Sequence, residues 1–208
     1  MRLCDHRCRR PPSVHGPLDR KHIQKRNSVL VIAAAAVELH ASVGPSRTSI
    51  SAIADRAGVD RATVYHHFPD ELSLLRACVA HGLELMPPPD PAHWEAIRDP
   101  NKRLSTALHE LYAYYRATEA AWANILPDLA RMPALLEANA PVLALWERMH
   151  QTLLRGWGLR GRRRNELRSL IALAVDFHAW RTLAQSGTTD RQAAELIARL
   201  ASCLATQP

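Results

Sequence analysis

Between Ala57 and Phe68 the chain reads AGVDRATVYHHF, and no other stretch constrains the fold as much. Gly58 separates two short runs with helical spacing. Before it, Ile50, Ile53, Ala54 and Ala57 recur at helical intervals, with Thr48 or Ser49 available as N-cap. Gly58 supplies the left-handed conformation that a short turn requires. Asp60 is the next N-cap: its carboxylate can accept from the free N–H groups of the following turn. Arg61–Phe68 then reads as a short helix. At about 100° per residue, Val64 and Phe68 share one side and belong to a core. The rows Ala62/His66 and Thr63/His67 turn away from it, with Arg61 and Tyr65 at the flank. The polar and ring-bearing residues therefore face outward.

Two short helices joined by a glycine turn, after a longer helix, form a helix-turn-helix. In that arrangement one helix braces across a nucleic-acid backbone while the next enters the major groove, where base edges are distinguishable. The outward residues suit this role. Thr can meet a base or a thymine methyl, Arg can fork onto guanine, Tyr and His can donate to phosphates, and the small Ala62 permits close approach. A net charge of +7 over 208 residues also favours an acidic partner. The excess is concentrated at the N-terminus, where residues 1–26 carry eight Lys and Arg against two Asp and Glu.

The stretch TSISAIADRAGVDRATVYHHFPDELSLL resembles the DNA-binding segment of TetR-family transcriptional regulators. Thr48 and Ser49 match the opening of the second helix, and Ile53-Ala54 with Ala57-Gly58-Val59 match its end and turn. Tyr65, His67 and Phe68 match the aromatic–x–His–Phe hallmark, and Leu74-Leu75 match the fourth helix. The resemblance implies that Thr48, Arg61, Thr63, Tyr65 and His67 contact DNA, with Arg47 near a phosphate; Ala62 and His66 join the site from their outward direction. One position departs from the pattern. Many members carry a phosphate-touching Lys at the start of the fourth helix, where this chain has Glu71. The basic arm (Arg20, Lys21, Lys25, Arg26) can compensate, because each neutralised phosphate releases counterions.

Residues 1–24, rich in Pro, Arg and His and without periodicity, are expected to form a disordered basic arm. Helical spacing begins at Lys25. The run VLVIAAAAV (Val29–Val37) looks like a signal-peptide core behind a basic flank, but it passes straight into Glu38, Leu39 and His40 with helical spacing. It also falls well short of the roughly 20 apolar residues that span a bilayer. Gly44-Pro45 stops that helix. A fourth helix opens at Pro69-Asp70 with Leu72, Leu75 and Val79 inward. The triplet Pro87–Pro89 marks the domain boundary, so the expected division is 1–24 arm, 25–86 DNA-binding domain and 87–208 helical ligand-binding and dimerisation domain. In this last part the helical stretches are a face of Leu104, Leu108, Leu111, Tyr112 and Tyr115, then Ala121–Met132, Leu135–Trp157, Leu167–Ala184 and Gln192–Leu204. No segment alternates like a strand, and the fold class is all-α.

Four cysteines, two in the arm and two in helical runs, give no disulfide framework and suit a reducing, cytoplasmic setting. Cys4, His6 and Cys8 lack the second ligand cluster that a tetrahedral metal site needs. Gly156–Gly161 satisfies G-x-G-x-x-G, but a helical run precedes it where a dinucleotide fingerprint needs a strand. His109-Glu110 begins an H-E-x-x-H that Ala113 breaks. No catalytic constellation, cofactor or metal is implied, and the expected activity is not enzymatic.

All five tryptophans follow the boundary. The resemblance implies that these C-terminal helices make a ligand cavity and a dimer interface. Candidate lining residues are Tyr112, Tyr115, Trp122, Trp146, Met149, His150, Phe177 and His178, which fit a mostly apolar small molecule. Leu167–Ala184 shows two apolar sides, Leu167/Leu170/Ile171/Ala174 and Leu173/Phe177/Trp180/Ala184, so it needs two partners. With the last helix (Leu196, Ile197, Leu200, Leu204) it can form a homodimer interface. The expectation is a homodimeric repressor on a palindromic operator, released by a ligand. Its rivals are a small-molecule enzyme built on the helical bundle and a sequence-blind architectural protein carried by the basic arm.

Overall fold

The computed structural model describes residues 17–206, and every regular element among them is helical. The N-terminal part comprises α1 (Pro17–Val43), a 3-10 turn (Pro45–Arg47), α2 (Ile50–Ala57), α3 (Arg61–His67) and α4 (Glu71–Leu85). Irregular residues around the proline triplet lead into α5 (Pro91–Glu95), α6 (Pro100–Leu129), α7 (Pro133–Ala138), α8 (Ala140–Leu153), α9 (Gly161–Ala174), α10 (Phe177–Gln185) and α11 (Asp190–Thr206).

Part of the expected arm is thus helical. α1 begins at Pro17, a residue suited to a first helical position, and runs on through Arg20, Lys21, Gln24 and Lys25, all good helix formers. Residues 1–16, with Cys4, His6 and Cys8, lie outside the described residues. The first core joins Ile32 and Ala36 of α1, Ile53 and Ala54 of α2, Val64 and Phe68, and Leu74 and Cys78 of α4. Leu72 and Val79, expected inward, are half-buried and pack beside Leu75 against α7.

The larger core is built around α6. Leu104, Leu108 and Leu111 on its buried stripe meet Trp94, Met149, Leu167, Ile171, Trp180 and Ala194 from the surrounding helices. The expected break before Ala121 does not occur, since no glycine or proline interrupts α6 until Pro127, inside its last turn. At 30 residues α6 is about 45 Å long. The buried Arg103 guanidinium satisfies the carbonyls of Ile97, Thr152 and Arg155 at one end of this strut.

The single helix expected over Leu167–Ala184 is instead two. α9 ends at Ala174, and Asp176 caps α10 by accepting from the Ala179 N–H at 2.8 Å. The break is stabilised from below: Tyr112 Oη donates to the Ala174 carbonyl at 2.9 Å, and Tyr115 Oη to the Val175 carbonyl at 2.6 Å. Carbonyls freed at a helix end thereby find partners inside the core. The two expected apolar sides merge accordingly. Phe177 and Trp180 turn into the same core as Leu167 and Ile171, while Leu173 is left 62% exposed.

The far end of α6 docks on the N-terminal domain. Asn124 Nδ2 donates to the carbonyls of Ala41 at 2.8 Å and Ser42 at 3.2 Å. Asp128 Oδ2 accepts from the Ser46 N–H at 2.9 Å. Gly44 makes this approach feasible. Its φ is +93°, and a Cβ there would stand 3.1 Å from the Asn124 carbonyl oxygen and 3.3 Å from Asp128 Oδ2. Gly44→Ala is therefore expected to cost on the order of 1–3 kcal/mol from backbone strain alone, read as a lower urea midpoint; an unchanged midpoint would show that the dock tolerates a side chain.

Candidate nucleic-acid interface

A seven-residue helix cannot hold itself together in water, so α3 depends on its caps and its buried side. Asp60 Oδ1 accepts from the Thr63 N–H at 2.6 Å, and this backbone bond holds the Asp60 carboxyl below its usual range. Ser49, not Thr48, caps α2, accepting from the Ala52 N–H at 3.1 Å. Gly58 closes α2 at φ +67° and donates back to the Asp55 carbonyl, which sets the angle at which α3 leaves. Val64 is fully buried and Phe68 nearly so.

The opposite side of α3 is open. Arg61, Ala62, Tyr65 and His66 are exposed, with Tyr65 at 49%, while Thr63 and His67 are half-buried. The His66 and His67 rings meet edge-on at 5.2 Å. Arg47 is exposed at the end of the 3-10 turn. Thr48 is half-buried, its hydroxyl donating to the Gly44 carbonyl at 2.8 Å, so the residue also fixes the turn. The eight positions expected to meet nucleic acid thus lie on the turn before α2 and on the outward part of α3. Glu71 is exposed in the first turn of α4, behind the Asp70 cap.

The C-terminal candidates divide. Tyr115, Trp122, Trp146, Phe177 and His178 line one cavity of about 270 Å³, together with Leu126, Leu143 and Asp176. The Trp122 and Trp146 rings meet at a tilt of 58° with centroids 5.5 Å apart, and Trp146 Nε1 donates to Tyr115 Oη at 3.1 Å. Tyr112 and Met149 lie in solid core instead, and His150 sits on a separate groove beside Trp157 and Arg168. Helical spacing sets Met149 and His150 on the same side of α8 as Trp146, but it does not say which of them meets a void.

A second cavity, of about 110 Å³, escaped the sequence reading. It lies where α1 and α4 meet α6 and α8, and it shares Trp122, Asn139 and Val142 with the first. His40 is buried at its edge, with Nδ1 3.2 Å from Cys78 Sγ. Burial pulls the His40 imidazole down to about 4, against the opposing pull of Asp128, and pushes the Cys78 thiol up to about 12. Nothing local in the sequence marks this place, because its walls come from residues far apart in the chain.

An exposed, capped reading helix on a long helical body defines the class of protein: a helix-turn-helix DNA reader with a separate helical domain behind it. Residues 32–78 match the model of the bacterial regulatory proteins of the tetR family. The whole fold is similar to three solved structures. A transcriptional regulator of Streptomyces coelicolor A3(2) is 21% identical with a TM-score of 0.55, over 88% of this chain and 99% of that one. A fatty acid metabolism regulator of Clostridium perfringens is 15% identical with a TM-score of 0.59, over 81% and 94%. A tetR-family transcriptional regulator of Streptomyces coelicolor is 21% identical with a TM-score of 0.54, over 85% and 80%. No curated protein sequence matches. Residues 32–78 thus carry a DNA-binding segment of the tetR-family type, and the likeness over most of the chain shows a fold shared with these regulators. Among the described residues no helix is long and apolar enough to cross a membrane.

Two outcomes follow from this geometry. Asp60→Ala is expected to lower Tm and weaken duplex binding, with Asp60→Asn retaining most of both; equal behaviour of the two variants would refute the capping role. His40 titrates lower in the folded chain than in the unfolded one, so the unfolded chain takes up its proton first. Its contribution is complete above pH 6.5 and is lost as pH falls towards 4, by about 3 kcal/mol. Urea unfolding of His40→Gln should show a flatter pH dependence across that window than the parent.

Proposed function

We propose that the protein is a homodimeric repressor that binds a palindromic operator and is released from it by a small, mostly apolar molecule. The observation that carries this reading is the cavity walled jointly by the DNA-reading domain and the C-terminal domain. A molecule entering it touches α1 and α4 on one side and α6 and α8 on the other. The DNA contacts are assigned to Arg47, Thr48, Arg61, Ala62, Thr63, Tyr65, His66 and His67. Tyr115, Trp122, Trp146, Phe177 and His178 are assigned to the adjoining aromatic chamber. The proposed division at the proline triplet, 25–86 from 87–208, is supported by the cores built on α1–α4 and on α6, with the cluster of Leu75, Leu135 and Ala138 between them, and operation on DNA fits a cytoplasmic protein.

The dimer is assigned to α9 and α11, where Leu173 and Leu200, 62% and 45% exposed, leave apolar surface without cover in the single chain. Two-fold symmetry then sets two copies of α3 one DNA turn apart, about 34–36 Å, on a palindrome. Asn124 and Asp128 hold the α1–α2 turn against the end of α6, so a shift of α6 moves the reading head. The ligand acts only in so far as it prefers the state in which the two heads no longer match the half-sites.

Selection of bound fragments from random duplexes tests the reading, and a palindromic consensus is the expected result. Sequence-blind binding with a steep salt dependence, or no binding at all, would overturn it. On the selected operator, Tyr65→Ala and Thr63→Ala are expected to weaken binding about 10-fold or more, in line with the roughly 1–3 kcal/mol carried by a good base contact, while leaving the circular dichroism and the dimer unchanged. Parental affinity in both variants would remove α3 from the interface.

A further inference from the structure

The chemistry of the cavity walls points to the ligand. The junction cavity has no Asp, Glu, Lys or Arg on its lining. Its titratable groups are His40, Cys78 and Tyr114, and burial holds each in its uncharged form: the imidazole is pulled down, and the thiol and the phenol are pushed up. The thiol and phenol are uncharged at neutral pH in any case, so the informative group is His40, which burial keeps neutral, and no fixed charge on the lining offsets the cost of burying another. The adjoining aromatic chamber adds one carboxylate, Asp176, exposed and already accepting from the Ala179 N–H, and again no Lys or Arg. An anion would find no Lys or Arg on either lining; the imidazoles there are His40 in the junction and His178 in the chamber. A cation would find no partner in the junction part. Burying an unpaired charge is costly, whereas a hydroxyl or carbonyl can meet the hydrogen-bonding side chains of Thr118 and Asn139 on the wall.

Size narrows the class further. A cavity of roughly 150 Å³ with apolar walls holds benzene, and the junction cavity, at about 110 Å³, is slightly smaller. We infer that the effector is an uncharged, largely apolar molecule with a single-ring-sized end that seats in the junction cavity, between α1, α4 and α6. This rests on the effector reading above and adds the charge class and the seat.

The test uses three probes of one size and different charge: benzyl alcohol, benzoate and benzylammonium, titrated into the full chain by ligand-observed NMR. Benzyl alcohol should bind, with a dissociation constant at least roughly tenfold below those of the two ions. Gly82→Leu should abolish that binding by filling the junction. A Cβ at Gly82 meets only Val37 Cγ2, at 3.9 Å, so the added side chain has room, and Ala121→Leu provides a second filling variant on another wall. Ala172→Phe, in the aromatic chamber, should leave the binding intact. Equal or tighter binding of either ion overturns the charge class. Failure of all three probes to bind, or loss of binding in Ala172→Phe but not in the filling variants, overturns the seat. Operator affinity measured with and without benzyl alcohol is a separate readout: binding as described with no change in operator affinity counts against the effector reading and leaves the charge class standing.

Discussion

The burial of Val64 and Phe68 is the constraint on which the rest of the molecule depends. α3 is too short to persist alone, and its outward side carries groups chosen for another molecule. The two apolar side chains must therefore supply the tertiary packing that short helices need. Their partners, Ile53 and Ala54 from α2 and Ile32 and Ala36 from α1, are small or compact, so α3 sits close to its support. That closeness makes the angle set by Gly58 and Asp60 a fixed property of the domain. A reading head gains accuracy from such rigidity, since its exposed side chains then approach a groove from a defined direction.

Rigidity within the head makes its attachment to the body the place where regulation can act. α6 reaches across the second core and ends on the α1–α2 turn, where Asn124 and Asp128 engage backbone groups rather than side chains. Bonds to backbone fix position without depending on rotamers. Gly44 brings the surfaces so close that a Cβ there would stand 3.1 Å from the Asn124 carbonyl oxygen and the neighbours would have to give way slightly. The Arg76–Glu137 pair also spans the two domains, but it is well exposed and adds little. The dock thus combines a few directional contacts with the apolar cluster of Leu75, Leu135 and Ala138, beside a void, and packed interfaces of this kind shift between discrete positions rather than deform continuously.

Much of this was legible in the sequence because the decisive signals are local. The turn at Gly58, the Asp60 cap and the i, i+4 pair Val64/Phe68 lie within eleven residues, and local rules govern them. The apolar stripe of α6 is readable for the same reason. Two departures are local, the helix over residues 17–24 and the unbroken α6; the others are long-range. The break between α9 and α10 depends on Tyr112 and Tyr115, whose hydroxyls meet carbonyls about sixty positions away. Periodicity alone continued the helix through Asp176. Met149 packs into the core beside the cavity rather than lining it, since a stripe of apolar residues does not say whether it faces neighbours or a void. The junction cavity exists only once α1, α4, α6 and α8 are assembled.

The size of that cavity bears on how a ligand can shift the head. Moving a two-state equilibrium from 1:99 to 99:1 takes roughly 5.5 kcal/mol of preference for one state. An aromatic ring burying roughly 150–250 Å² gains about 4–6 kcal/mol at ~25 cal/mol per Å². The two figures are comparable, so an uncharged ring can act as an efficient switch only when nearly all of its burial energy is specific to one state. A cavity of about 110 Å³ is slightly smaller than one that holds benzene, so the fit of a ring there is sensitive to small changes in the spacing of its walls. In a roomier pocket the same ligand would bind both states alike and shift neither. A charged ligand would forfeit its gain to desolvation among walls that keep even histidine neutral. The narrowness and the apolarity of the junction therefore work together: the first makes binding depend on conformation, and the second selects the molecules able to exploit it.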